Sequence, residues 1–136
     1  MDPRKVLDKY YKKKYAWSLV EVEALEEKQN HACAGCGYTP SPDQRRLSVD
    51  HDHAFAKQKF EIVRDPEGGW CTCIGDVKIF AAKRGDVLRQ GKAKLLHDSV
   101  RGLLCWKCNY GMLRFGADPV RLRKLAAYAE NWRATK

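Results

Sequence analysis

Apolar positions fall into a few short groups along this chain, separated by charge or by glycine and proline. In "SLVEVEALEEKQN", Leu19, Val22 and Leu25 recur at helical spacing, with Val20 and Ala24 beside them. Ser18 and Glu21 open that run, so the hydroxyl can accept from the Glu21 amide while the carboxylate reaches back to the Ser18 amide. The pattern predicts a helix over about residues 19–29. In "CAGCGYTPSPDQRRLSVDHDH", glycine and proline exclude helix, and the alternation of Leu47 and Val49 predicts a short strand that runs into the aspartates and histidines. Residues 54–99 mix the short apolar runs "KFEIV" and "DVKIFAA" with the turn signals "RDPEGG", Gly75, Gly85 and Gly91. They predict one or two hairpins followed by a basic connector that contains His97. "VRGLLCWKCNYGMLRF" reads as a cysteine knuckle and a short helix. Asp118 then caps a last helix with Pro119 at its first position, and Leu122, Leu125, Ala126, Ala129 and Trp132 share one of its faces.

The length of 136 residues suits one modest domain and is too short for two cores of ordinary size. We expect a basic aromatic arm over 1–17, then helix, knuckle and strand over 18–53, and a hairpin insertion over 54–99. A second knuckle with its helix follows over 100–117, and a C-terminal helix over 118–136. Charge sharpens the picture: 26 basic against 17 acidic residues leave a formal +9, which favours a polyanionic partner, nucleic acid first. No apolar run approaches the roughly 20 residues that a membrane span needs, and no signal-peptide core follows the N-terminus, so a cytoplasmic protein is expected. In "RKVLDKYYKKKYAW", Lys12, Lys13 and Lys14 stand among Tyr10, Tyr11, Tyr15 and Trp17. Such a segment either lies along phosphates and stacks on bases, or forms a solvated helix whose aromatics pack on the body.

Six cysteines bring in chemistry. Cys33 and Cys36 form one CxxC, and Cys105 and Cys108 another. Two residues between thiolates let both sulfurs of a knuckle face one ion, and two knuckles supply the four soft ligands of tetrahedral Zn²⁺. The gap of about 68 residues between them is long for a zinc ribbon, so two unrelated cysteine pairs remain the alternative. Cys71 and Cys73, one residue apart on a strand, would share a face and read as core or edge residues. His31 and His97 read as surface or capping residues.

A zinc staple would carry Asn109, the residue after Cys108, toward Asp50 and His51. A hard divalent ion takes oxygen ligands such as the Asp50 carboxylate and the Asn109 carbonyl, and His51 can accept a proton from water. Neighbours on a regular strand point to opposite faces, so these groups converge only at an irregular strand end. Without the staple, a solvated acid-histidine turn is the simpler reading.

The blocks "CAGCG", "LSVDHDH", "VRGLLCWKCN" and "DPVRLRKLAAYAENW" together resemble the recombination endonuclease VII family, within the HNH or His-Me finger nucleases. The resemblance spans about residues 17 to 132 and implies an α+β protein with a small zinc-stapled ββα-metal core and flanking N- and C-terminal helices. It makes Cys33, Cys36, Cys105 and Cys108 structural zinc ligands. Asp50 and Asn109 become ligands of a catalytic Mg²⁺ or Mn²⁺, His51 the general base, and His53 an accessory group near the scissile phosphate. Met112 stands where some relatives carry an acidic residue. The implied activity is DNA cleavage to 5′-phosphate and 3′-hydroxyl ends, with DNA as partner. Cutting both strands calls for a pair of sites, and so allows a homodimer. Arg101 either contacts a phosphate or pairs with Asp98. Two other classes compete: a non-catalytic zinc-stapled DNA-binding module, and an oxidoreductase using the CxxC pairs, which lack the strand-to-helix context of redox motifs.

Overall fold

The computed structural model describes residues 1–135, so Lys136, the end of the last expected segment, lies outside the described residues. The chain opens with α1 (Pro3–Tyr15), capped by the Asp2 carboxylate, which accepts from the Arg4 amide at 2.9 Å. Of the two readings of the basic aromatic segment, the helical one is realised: Tyr11 and Tyr15, four residues apart, are buried on one side. Ala16 then takes the left-handed conformation, and the Leu19 amide donates to Asp8 of α1 at 2.8 Å. This turns α2 (Leu19–Lys28) back against α1, with both halves of the Ser18–Glu21 capping box formed.

The centre of the protein is an antiparallel pair, β1 (Ser48–His51) with β5 (Val100–Leu104), followed directly by α5 (Trp106–Arg114). The architecture is thus α+β, with a strand–strand–helix unit flanked by helices. Tyr11, Tyr15, Leu19 and Val22 from the helices meet Val49, Leu103 and Leu104 from the strands in one core. Leu103 at its middle is 1% exposed. The outer edge of β5, otherwise a row of unpaired backbone groups, is covered by the Gln29 side chain. Gln29 accepts from the Leu103 amide at 2.9 Å and donates to the Leu103 carbonyl at 3.0 Å. Gly102 permits this approach, since a Cβ there would lie 3.1 Å from Gln29 Oε1.

Between β1 and β5 lies the stretch expected to hold a hairpin insertion over 54–99. After the one-turn α3 (His53–Ala56) come β2 (Val63–Arg64), β3 (Trp70–Ile74) and β4 (Val77–Ala81), an antiparallel sheet in that order. The expected basic connector is instead a helix, α4 (Arg84–Asp98), packed on β3 and β4. The reason is a buried row at four-residue spacing, Val87, Gly91 and Leu95. Gly91, read as a turn signal, sits mid-helix because the Phe60 ring lies against it; a Cβ would come within 2.5 Å of that ring. Cys71 is buried and Cys73 exposed on the central strand.

His97 is also corrected. It closes α4 onto the first two helices, its ring stacked on Trp17 at 4.8 Å and its Nε2 against Glu21. The Trp17 indole N–H donates to the His97 carbonyl at 2.8 Å. His31, by contrast, is exposed as expected and pairs with Glu26 at 3.3 Å. The last helix, α6 (Pro119–Ala134), begins as its sequence predicts, with Asp118 accepting from the Val120 amide. Its expected apolar face is not taken into the core: among the described residues none of α6 is fully buried.

Candidate active site and cysteine cluster

The two knuckles meet. The first leaves the end of α2, the second forms the start of α5, and the four Sγ atoms of Cys33, Cys36, Cys105 and Cys108 all lie within 4.8 Å of one another. The Cys36 and Cys105 sulfurs are 3.8 Å apart, close to the edge of about 3.8 Å that a tetrahedron with Zn–S arms of about 2.3 Å requires. Gly35 lets the knuckles close, because a Cβ there would stand 3.2 Å from Cys108 Sγ. Burial works to raise the Cys33 pKa, yet the backbone amides of Cys105, Cys36 and Gly35 point at its sulfur and bring it down to about 6. Cys108 is pushed up to about 12 by burial and by the thiols around it. Sulfurs so crowded shed their protons together only when a cation compensates them, and a soft donor set of this kind fits zinc. The four cysteines could hold a zinc ion. Cys71 and Cys73 belong to no such group among the described residues.

The second knuckle also delivers Asn109. A cavity of about 630 Å³ is lined by Asp50 and His51 from β1, His53 from α3, Arg101 from β5 and Asn109 from α5. The irregularity that the adjacent acid and imidazole demand is present. Asp50 pairs with Gly102 but His51 with Val100, leaving Arg101 as the extra residue of a bulge. A bulge breaks the alternation of faces, and so Asp50 and His51 both reach the cavity.

Arg101 does not pair with Asp98 and instead grips Asp50. Its Nε and one terminal nitrogen donate to both oxygens of the buried Asp50 carboxylate, at 2.9 and 3.0 Å. The Asp98 alternative is corrected, since that carboxylate pairs with Lys94 and His97 at the end of α4. The bulge explains the choice: it turns the Arg101 side chain back across its own strand pair.

His51 lies edge-on to Tyr15, with ring centroids 5.4 Å apart, and against His53 at 4.2 Å. Burial first, then the neighbouring His53, hold its pKa below the usual histidine value, against the opposing pull of Asp50. A depressed value leaves the imidazole neutral near pH 7, in the form that accepts a proton. Asp52 has a different job. It caps α3, accepting from the Phe55 amide at 3.0 Å, and so presents His53.

Of the three lysines singled out in the first segment, Lys14 lines the cavity, its ammonium donating to the Tyr10 hydroxyl at 3.1 Å. Lys12 is tied to Asp8 at 2.7 Å, and Lys13 is exposed. Met112 forms part of the cavity wall. Sequence reasoning missed the wall made by Tyr15. The four-residue spacing of Tyr11 and Tyr15 was the available signal, but it does not say which strand the rings meet.

Fold and cavity together define a small α+β protein whose strand–strand–helix unit is clasped by cysteines and presents an acid, an imidazole and an amide to one basic-rimmed hollow. The family model for recombination endonuclease VII matches residues 8–131, and the chain belongs to that family. It is accordingly a DNA endonuclease, a hydrolase whose substrate is DNA. No curated protein and no solved structure matches the chain.

Proposed function

We propose that this chain is a metal-dependent nuclease of the HNH or His-Me finger type, hydrolysing DNA phosphodiesters to 5′-phosphate and 3′-hydroxyl ends. The observation that carries this reading is the convergence of Asp50, His51 and Asn109 on one cavity from two places far apart in the sequence. His51, neutral and walled by Tyr15, takes a proton from the attacking water. Asp50 and Asn109 offer the oxygen donors that a hard divalent cation prefers, and the Arg101 guanidinium shares the Asp50 carboxylate with it. Asp50 and Asn109 would hold a Mg²⁺ or Mn²⁺ ion, whose chemistry would be neutralisation of the charge that develops on the phosphate and on the leaving 3′ oxygen. Arg101, at the cavity beside Asp50, and Lys14 on the α1 wall of the same cavity hold DNA phosphates, with His53 beside the scissile group. Cys33, Cys36, Cys105 and Cys108 hold structural zinc, which fixes α5 and hence Asn109. Each chain carries one such centre, so cutting both strands takes two copies acting together.

The test is a supercoiled plasmid incubated with Mg²⁺ or Mn²⁺ beside an EDTA control. Nicked circles are expected with the metal and none with the chelator. Equal cutting in both removes the metal from the reaction, and salt-sensitive binding without nicking reduces the protein to a binding module.

A further inference from the structure

A second cavity, of about 600 Å³, opens beside the cysteine cluster and is used by none of the chemistry above. A single ion among four sulfurs would fill only a corner of it. Beyond three of the cysteines, its walls are Tyr38, Gln44, Arg45, Trp106 and Lys107, and no acidic residue lines it. Tyr38 is 44% exposed and Trp106 is 55% exposed, so two large ring surfaces are left in water. Lys107 Nζ stands 5.7 Å from the Trp106 ring centroid. Among the described residues neither Arg45 nor Lys107 is ion-paired.

The walls are held in place. The Tyr38 hydroxyl donates to the Gln44 side-chain oxygen, which also accepts from the Ser41 amide at 2.9 Å. The Cys33 amide donates to the Tyr38 carbonyl at 2.8 Å, tying that loop to the first knuckle. Trp106 is the first residue of α5, immediately after Cys105. Both aromatic walls thus hang from the cysteine cluster, one from each knuckle.

Open aromatic faces flanked by uncompensated cations suit a ligand that is planar and anionic. We propose that this cavity receives one unpaired nucleotide of the DNA substrate, its base against Tyr38 and Trp106 and its phosphates against Arg45 and Lys107. A paired base shows only its edges in the grooves, so ring faces of this kind are satisfied by a base that has left the stack. The two cavities share α5: Asn109 lies three residues after Trp106, about 4.5 Å along the helix axis. A base seated here therefore registers the strand relative to the cleavage centre. The inference rests on the endonuclease reading for the identity of the ligand, and its test is separate from cleavage.

The probe is a single-stranded oligonucleotide carrying 2-aminopurine, compared with its duplex, added to the zinc-loaded full chain without added Mg²⁺ or Mn²⁺. Stacking is expected to quench the single-stranded probe. The double variant Tyr38→Ala/Trp106→Ala should abolish the quenching and weaken single-strand binding by about tenfold or more. Duplex binding should change by less than about twofold, and Trp106→Phe should restore most of the quenching. Zinc content by elemental analysis shows that the variants keep their fold. Unaltered quenching in the double variant overturns the proposal, as does an equal loss of single-strand and duplex binding at full zinc content. Self-association that Trp106→Ala abolishes, with no effect on the oligonucleotide, assigns the cavity to a second copy instead and likewise overturns it. A failure of wild-type plasmid nicking leaves these results standing and bears on the endonuclease reading alone.

Discussion

The strand–strand–helix unit and the insertion that interrupts it are built on opposite principles. In the first, β1, β5 and α5 come from distant parts of the chain and are gathered by four sulfurs and by the Gln29 side chain on the edge of β5. In the second, β2, β3, β4 and α4 follow one another and are held by ordinary packing around Val87, Ile74 and Leu95, with Phe60 against Gly91. The difference teaches where precision is needed. A cavity assembled from Asp50, His51, Arg101 and Asn109 requires that long-range pieces be placed reproducibly, and a clasp of four cysteines that could hold zinc needs few residues to do this. The insertion has only to form, and local contacts suffice.

The largest effect should come from the clasp. Structural zinc in small modules contributes on the order of 10 kcal/mol, so Cys105→Ser is expected to remove the metal and the cooperative unfolding of the central unit. Hydrogen exchange reads this directly: protection should vanish in β1 and β5 and fall least in α4. Uniform loss across both regions would erase the distinction between them.

Next comes His51→Ala, which should lower plasmid nicking by about 10²–10⁴-fold while zinc content stays at one per chain. A variant that nicks at the wild-type rate would mean that another group accepts the proton.

Leu103→Ala empties the middle of the gathered core and should destabilise it by about 2–5 kcal/mol in denaturant unfolding. Gly91→Val crowds the Phe60 ring and should cost about 1–3 kcal/mol, with nicking retained, since neither Gly91 nor Phe60 lines the cavity. If Gly91→Val abolished cleavage, the insertion would be part of the catalytic apparatus and not an independent body.

The smallest effect lies at the seam between the regions. Burial works to raise the Glu21 pKa, but the hydrogen bonds from His97 and Ser18 outweigh it, so the folded value lies below the usual one. A depressed carboxylate contributes stability that is present above its unfolded pKa and lost as pH falls through the folded value. Glu21→Gln should therefore lower the melting temperature slightly at neutral pH, leave it nearly unchanged at acid pH where that contribution is already lost, and so flatten the profile between the two.

What was readable in advance has a common scale. The capping box at Ser18 and Glu21, the Asp118–Pro119 helix start and both cysteine knuckles depend on groups within three residues of one another, so spacing alone dictates them. The α4 helix was hidden because its glycine is tolerated only by a ring from another segment, and a lone Gly91 looks like a turn until Phe60 is in place.

Local chemistry in the chain thus determined the helix caps, the pairing of cysteines into knuckles, the strand that carries Asp50 and His51, and the surplus of positive charge. Tertiary structure alone decided that Arg101 grips Asp50, that Tyr15 walls His51, and that Phe60 lies against Gly91. Each of these depends on a bulge or a packing contact between residues far apart in sequence. Short-range spacing carries no information about which distant surface a side chain will meet.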